Sequence, residues 1–183
     1  MFIGSNFNRD IGNWNVSNVT DASSMFAMNP RFNQDISRWQ PVSLTEANAM
    51  FQFAESFNQD IGTWKLSKVT NMRCMFHEAK SFNQDLSAWD FSSVTNMFWM
   101  FNGASAFDQN LGNWNISRVT DMTEMLRGSG LSTAHYDALL NGWASRPVQP
   151  GINFIVGTDK KYSSIAAQAR AMLTGAPNIW VIT

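Results

Sequence analysis

The chain has 183 residues, 44% of them apolar and 15% charged, with 13 basic against 14 acidic side chains and a formal net charge of −1. A chain near this length buries roughly 68–70% of its unfolded surface, so it needs no disulfide framework, and its one cysteine, Cys74, offers neither a disulfide nor a cysteine zinc cluster. The balanced charge excludes an electrostatic nucleic-acid surface and an acidic disordered tail, and no apolar run is long enough to insert in a membrane.

Trp14, Trp39, Trp64, Trp89 and Trp114 stand 25 residues apart, and Phe7, Phe32, Phe57, Phe82 and Phe107 keep the same interval. Such spacing without a slip is an internal repeat, and equal lengths imply rungs stacked in one direction, because a longer rung would displace every contact above it. Residues 1–6 come first, with Met1-Phe2 matching the Met-Phe of a unit, one residue out of register. They are expected to be the remnant of a preceding unit in a longer array. Five units then begin near 7, 32, 57, 82 and 107 and carry the repeat to residue 130.

Each unit predicts the same elements. Ile61, Trp64, Leu66 and Val69 suggest a short strand with 64 and 66 facing inward and 63, 65 and 67 outward. Thr70, like Thr20, Thr45, Thr95 and Thr120, sits before apolar positions at 72, 75, 76 and 79, the i, i+3, i+4, i+7 spacing of a helical turn that the Thr would cap. The Phe82-Asn83-Gln84-Asp85 stretch returns the chain to the next strand through small polar residues that bond to backbone. From residue 131 the period ends. There Ser132 caps a helix through Trp143, Ile152 to Val156 alternate as a strand, a second helix covers about 163–173, and Ile179 to Ile182 form a last strand. The expected fold is a right-handed α/β solenoid of the leucine-rich-repeat type, with five rungs, a parallel sheet on one face, short helical turns on the other, and a C-terminal α/β capping segment over 131–183, all one continuous domain.

FNQDIGTW at 57–64, SKVTNMRCMF at 67–76, FNQDLSAW at 82–89 and SSVTNMFWMF at 92–101 resemble the repeat of the BspA-like leucine-rich-repeat surface proteins, and the tail, with LSTAHYDALLNGW at 131–143, resembles the segment that closes such arrays. The resemblance implies an extracellular or cell-surface module for adhesion or interaction, without enzymatic activity, whose signal and anchor lie outside this chain. It transfers no catalytic or ligand residues. Departures are Pro41 and Val42 in the strand segment and Asn110 in place of the loop Asp.

Binding is expected on the strand face, where Arg38, Gln40, Thr63, Lys65 and Asp90 line up as a rigid polar surface suited to a protein, peptide or glycan. The alternative contact is apolar: Phe53, Phe98 and Trp99, with Met28, occupy slots that are small or polar in other rungs, although a helical wheel turns Trp99 away from Phe53. Asp10, Asp35, Asp60 and Asp85 form a ladder that invites calcium, against the simpler reading that each accepts local backbone N–H groups. No cofactor is called for. His77 and His135 lack visible partners for a triad, Cys74 reads as an inert outward thiol, and Asn15-Val16-Ser17, Asn18-Val19-Thr20 and Asn115-Ile116-Ser117 match the N-glycosylation pattern. A monomer is expected. The other classes to weigh are a structural spacer in a surface stalk and a glycan-active enzyme fragment acting through carboxylates.

Overall fold

The computed structural model describes all 183 residues. A repeat solenoid occupies the first two thirds of the chain, each rung bonded to the next along three sides in three different ways.

The first side is a backbone ladder, and it does not lie where the alternation around Trp64 places a strand. Residues 21, 46, 71, 96 and 121 pair in parallel from rung to rung. Beyond them every second N–H donates to the next rung: Met72 to Asn96 O, Cys74 to Phe98 O, Phe76 to Met100 O and Glu78 to Asn102 O, at 2.8–2.9 Å. The segment expected to be helical is this ladder. Within it Met75, His77 and Ala79 N–H donate three residues back, so the rung advances as overlapping β-turns. The turns place the residues at 74 and 78, and their counterparts, at positive φ: Ser24 +55°, Met28 +54°, Ala49 +54°, Phe53 +57°, Cys74 +56°, Glu78 +57°, Trp99 +56°, Gly103 +73°, Glu124 +51° and Gly128 +69°. A turn of type II needs such a residue at its third position. Because the chain reverses every few residues, it buries 72, 75, 76 and 79 together, as a helix would. The threonines are accordingly not helix caps. Thr45, Thr70, Thr95 and Thr120 donate both backbone N–H and hydroxyl to the Thr carbonyl of the rung before.

The second side is an amide ladder. Asn33, Asn58, Asn83 and Asp108 N–H donate to Oδ1 of Asn8, Asn33, Asn58 and Asn83 at 2.9–3.0 Å. Gln34, Gln59, Gln84 and Gln109 add their side-chain amides to the same acceptors.

The third side holds the tryptophans. The expected parallel strand is absent there, since tight turns close at 61–64 and 66–69 and no backbone bond joins neighbouring rungs along them. Asx-type bonds set these turns, such as Ser17 N–H to Asn15 Oδ1 and Ser92 N–H to Asp90 Oδ1. The rungs are joined here by the indoles: Trp39, Trp64 and Trp89 Nε1 donate to Ile11, Ile36 and Ile61 O at 2.9–3.1 Å. Trp114 stacks at 3.7 Å on Phe91 instead, and its buried N–H has no acceptor.

Between the three sides the side chains stack in columns. Phe26, Phe51, Phe76 and Phe101 repeat at 5.4–5.6 Å, and each pairs with the Phe that opens the next unit, Phe32, Phe57, Phe82 or Phe107, at 3.7–4.1 Å. A single unit would leave these rings in water, so stacking supplies the core.

The C-terminal segment follows the expected order: α1 (Thr133–Ala144, capped by Ser132), β1 (Asn153–Phe154), a 3₁₀ turn at Ser164–Ala166 leading into α2 (Ala167–Thr174), and β2 (Val181–Ile182), which pairs in parallel with β1. It joins the last rung by imitating a further one. Trp143 Nε1 donates to Leu111 O at 3.0 Å, and Ser132 N–H to Asp108 Oδ1 at 2.8 Å. Asp137, buried in α1, accepts from Ser163 N–H and hydroxyl and so ties the two helices together.

Candidate interaction face

Arg38, Gln40, Thr63, Lys65 and Asp90 are all exposed, on the outside of the Trp-bearing turns rather than on a sheet. Thr63 and Lys65 share a shallow polar cleft of about 350 Å³ with Asp60, Asp85, Ser87 and Ala88. Asp90 is occupied locally: the Ser92 hydroxyl and N–H hold its carboxyl below the usual carboxylate range. These five side chains share one side of the solenoid without backbone pairing beneath them to fix their spacing.

The Asp ladder is likewise engaged within each rung. Asp10, Asp35, Asp60 and Asp85 accept N–H from Gly12, Ser37, Gly62 and Ser87 at 2.8–2.9 Å, and Asn110 serves Gly112 in the same way at 2.9 Å. An amide oxygen does this work as well as a carboxylate, which is why the substitution leaves the period undisturbed. Nowhere do three His, Cys, Asp or Glu side chains converge as ligands for a metal.

The backbone ladder carries the aromatic side chains together, contrary to the helical wheel. Phe53 meets the His77 ring edge-on at 5.0 Å, His77 meets Trp99 at 5.1 Å, Trp99 stacks on Phe98 at 5.0 Å, and the Arg73 guanidinium covers Phe98 at 4.1 Å. The row therefore crosses three rungs, with His77 filling the gap that separates Phe53 from Trp99 in sequence. His77 is held in place by Nδ1 donating to Asn102 O at 2.9 Å, which sets the proton on that nitrogen, since a carbonyl can only accept. Phe53, Phe98 and Trp99 are partly exposed, whereas Cys74 is buried, not outward, and burial pushes its thiol pKa up against the opposing charge of Arg73.

Two of these rings stand at a backbone cost. Phe53 and Trp99 both stand at positive φ, Phe53 in the slot that Gly103 and Gly128 fill without strain in later rungs, and a bulky residue in that region is disfavoured by roughly 1–2 kcal/mol. Beside Trp99 the glycines open a groove of about 300 Å³, lined also by Glu78, Asn102, Glu124 and Arg127. Glu124 there bonds Arg127 at 3.1 Å and accepts the Asn102 amide at 3.4 Å. An aromatic wall thus adjoins carboxylate, amide and guanidinium groups. The aromatic row could be found in the sequence by laying the units in register and reading the slots at 53, 77, 98 and 99 as neighbours on a ladder.

Fold and site together define a repeat solenoid with a side-chain-bearing ladder face. The chain belongs to the DUF285 family, described as Mycoplasma protein of unknown function, whose model matches residues 1–73 and 55–163. No curated protein and no solved structure matches it.

Proposed function

We propose that this chain is a non-enzymatic interaction module, related to the BspA-like surface proteins that its repeat resembles, and that it acts outside the cell in adhesion by binding a protein, peptide or glycan. The contact surface in this reading is the ladder face. The observation that carries it is the continuous row Phe53, His77, Trp99 and Phe98 flanked by Arg73, because Phe53 and Trp99 are rung-specific aromatics held at strained positive φ, Phe53 in a slot that glycine fills in later rungs. A partner meeting this row finds rings fixed by backbone bonding, which lowers the ordering cost of association. The polar groups around Trp99 add hydrogen-bonding capacity at one end.

The test is a screen of the purified chain against protein, peptide and glycan arrays, followed by two variants. Phe53→Ser with Trp99→Ser is expected to abolish binding, and Arg38→Ala with Lys65→Ala and Asp90→Ala to leave it intact. The reverse pattern assigns binding to the polar turn face. Absence of any ligand favours a structural spacer, and turnover of a glycan abolished by a single carboxylate substitution makes the chain an enzyme.

A further inference from the structure

One slot of the ladder face changes character along the array. Met28 and Phe53 fill it in the first two rungs, Glu78 in the third, and Gly103 and Gly128 in the last two, all at positive φ. Where the side chains stop, the groove of about 300 Å³ beside Trp99 opens across three rungs, from Glu78 past Asn102 and Gly103 to Glu124, Arg127 and Gly128. The Glu78 carboxyl leans over Gly103, where an added Cβ would collide with it. A Cβ on Gly128 would meet only the Gly103 backbone, at 3.6 Å.

The groove holds polar groups that the protein leaves unused. Arg127 Nη1 donates to Glu124 at 3.1 Å, and the Asn102 amide nitrogen donates to the same residue. Asn102 Oδ1, both Glu78 oxygens, the Trp99 indole N–H and the remaining Arg127 N–H groups have no partner within the protein. An anionic ligand would meet two carboxylates and a guanidinium that is already paired. An apolar helix would bury the Glu78 carboxylate unpaired, which is costly. A lysine or arginine side chain would serve Glu78 and Asn102 Oδ1 but offers no acceptor to the indole and guanidinium donors. A hydroxyl group does both, since it donates once and accepts twice. A sugar ring carries several hydroxyls beside C–H groups that suit the one apolar wall, Trp99.

We infer that this groove binds a neutral saccharide. Its hydroxyls donate to Glu78 and Asn102 Oδ1 and accept from Arg127, and its ring C–H groups lie against Trp99. The inference rests on the ladder face being the contact surface and narrows the ligand of that face to a glycan. An open, polar groove at the small end of ligand sites gives weak binding, with Kd in the millimolar range for a single disaccharide, so affinity for a surface coated in glycans comes from many copies engaging together.

The test is a titration of the whole chain with five neutral disaccharides, maltose, cellobiose, lactose, mannobiose and diacetylchitobiose, followed by NMR at the Gly103 and Gly128 amides and the Trp99 indole N–H. At least one sugar is expected to shift all three resonances. Trp99→Gly, which suits a backbone at φ +56°, and Gly128→Asn, which fills the groove with a residue tolerated at positive φ, should each weaken binding at least tenfold while the melting temperature shows the chain still folded. Glu78→Gln should weaken it about tenfold by removing charge-assisted bonds. Full affinity in Gly128→Asn would overturn the site. If no disaccharide shifts these resonances while an array returns a protein or peptide whose binding is lost in Phe53→Ser with Trp99→Ser, the saccharide is wrong and the ladder face stands. If the sugars shift only Thr63 and Lys65, or if neither sugars nor arrays yield a ligand, the ladder-face reading falls with it.

Discussion

Asp108 and His135, 27 residues apart in sequence, meet at 2.7 Å across the joint between the fifth rung and α1. Asp108 occupies the slot that holds Asn8, Asn33, Asn58 and Asn83 in the other rungs, and Asn110 occupies the slot of their Asp, so the last unit exchanges the two. The reason lies in the donors each must satisfy. Asn83 serves a backbone N–H and a Gln amide, whereas Asp108 accepts the Ser132 N–H, the Ser132 hydroxyl and the His135 ring. An acceptor-only carboxylate suits that set better than an amide, half of which is a donor.

The joint should loosen in acid. Burial raises the Asp108 pKa, but the Ser132 N–H, the His135 ring and the Ser132 hydroxyl outweigh it and hold the group below its ordinary value. A carboxylate depressed in the folded state contributes stability above its unfolded pKa and loses it as pH falls through the folded value. Calorimetry between about pH 7 and about pH 3 should show a smaller acid loss of melting temperature in Asp108→Asn than in the parent. At neutral pH, Asp108→Ala should cost about 1–2 kcal/mol through the lost charge-assisted bonds. An acid profile unchanged by Asp108→Asn would remove this role.

Trp64→Ala should cost about 3–5 kcal/mol in urea unfolding, as a large-to-small change in a filled core. Trp64 is 2% exposed and its indole N–H holds Ile36 O at 3.1 Å. The neighbouring Lys65 is exposed, and Lys65→Ala should stay within about 0.5 kcal/mol of the parent. Comparable losses at both positions would contradict the packing described.

Ser24→Gly should stabilise the protein by about 0.5–1 kcal/mol, because Ser24 sits at φ +55°, where a Cβ is strained and glycine is not. Ser23→Gly, one residue earlier and outside the positive-φ slots, should instead destabilise by a similar amount. Thermal melts of the pair check the ladder geometry directly, and a stabilising Ser23→Gly would argue for the helical alternative.

Asp60 accepts Gly62 N–H at 2.9 Å, the same bond that Asn110 gives Gly112. Asp60→Asn should therefore leave the melting temperature within a degree or so, about the size of a neutral surface change, and EDTA should not move it in either protein. A calcium-dependent rise, lost in Asp60→Asn, would instead assign the Asp ladder to a metal by mass action.

Much of the architecture is legible before any coordinates. The repeat, the inward Phe, Trp and Met columns, the Ser132 cap and the order of the C-terminal elements all follow from spacing and residue type. The ladder is not, because 72, 75, 76 and 79 are the inward positions both of a helix and of turns that reverse every four residues. What separates the two is the sign of φ at 74 and 78, which Cys and Glu conceal and which Gly103 and Gly128 betray in the slot of 78 alone. The Trp side misleads for a related reason. Alternation at 64 and 66 mimics a strand, while the Asx-Val-Ser and Asx-Ile-Ser runs that also match a glycosylation pattern are setting turns, as Asn15 with Ser17 and Asn115 with Ser117 show. With the ladder misplaced, the aromatic row is invisible, since Phe53, His77 and Trp99 are neighbours only when the rungs are aligned as a ladder.

The constant offset between bonded partners has a kinetic meaning. Asn8 with Asn33, Ile11 with Trp39 and Thr45 with Thr70 are joined across 25 or 28 residues, and Asn83 with Asp108 and Thr95 with Thr120 repeat the 25-residue separation in the last rungs. The chain entropy lost in closing a loop depends on the loop's length and not on how many loops are already closed. Each new rung therefore meets the same barrier as the one before it, and an array of this kind can lengthen by duplication without its rate-limiting closure becoming slower, unlike a sandwich or barrel whose first and last strands must find each other.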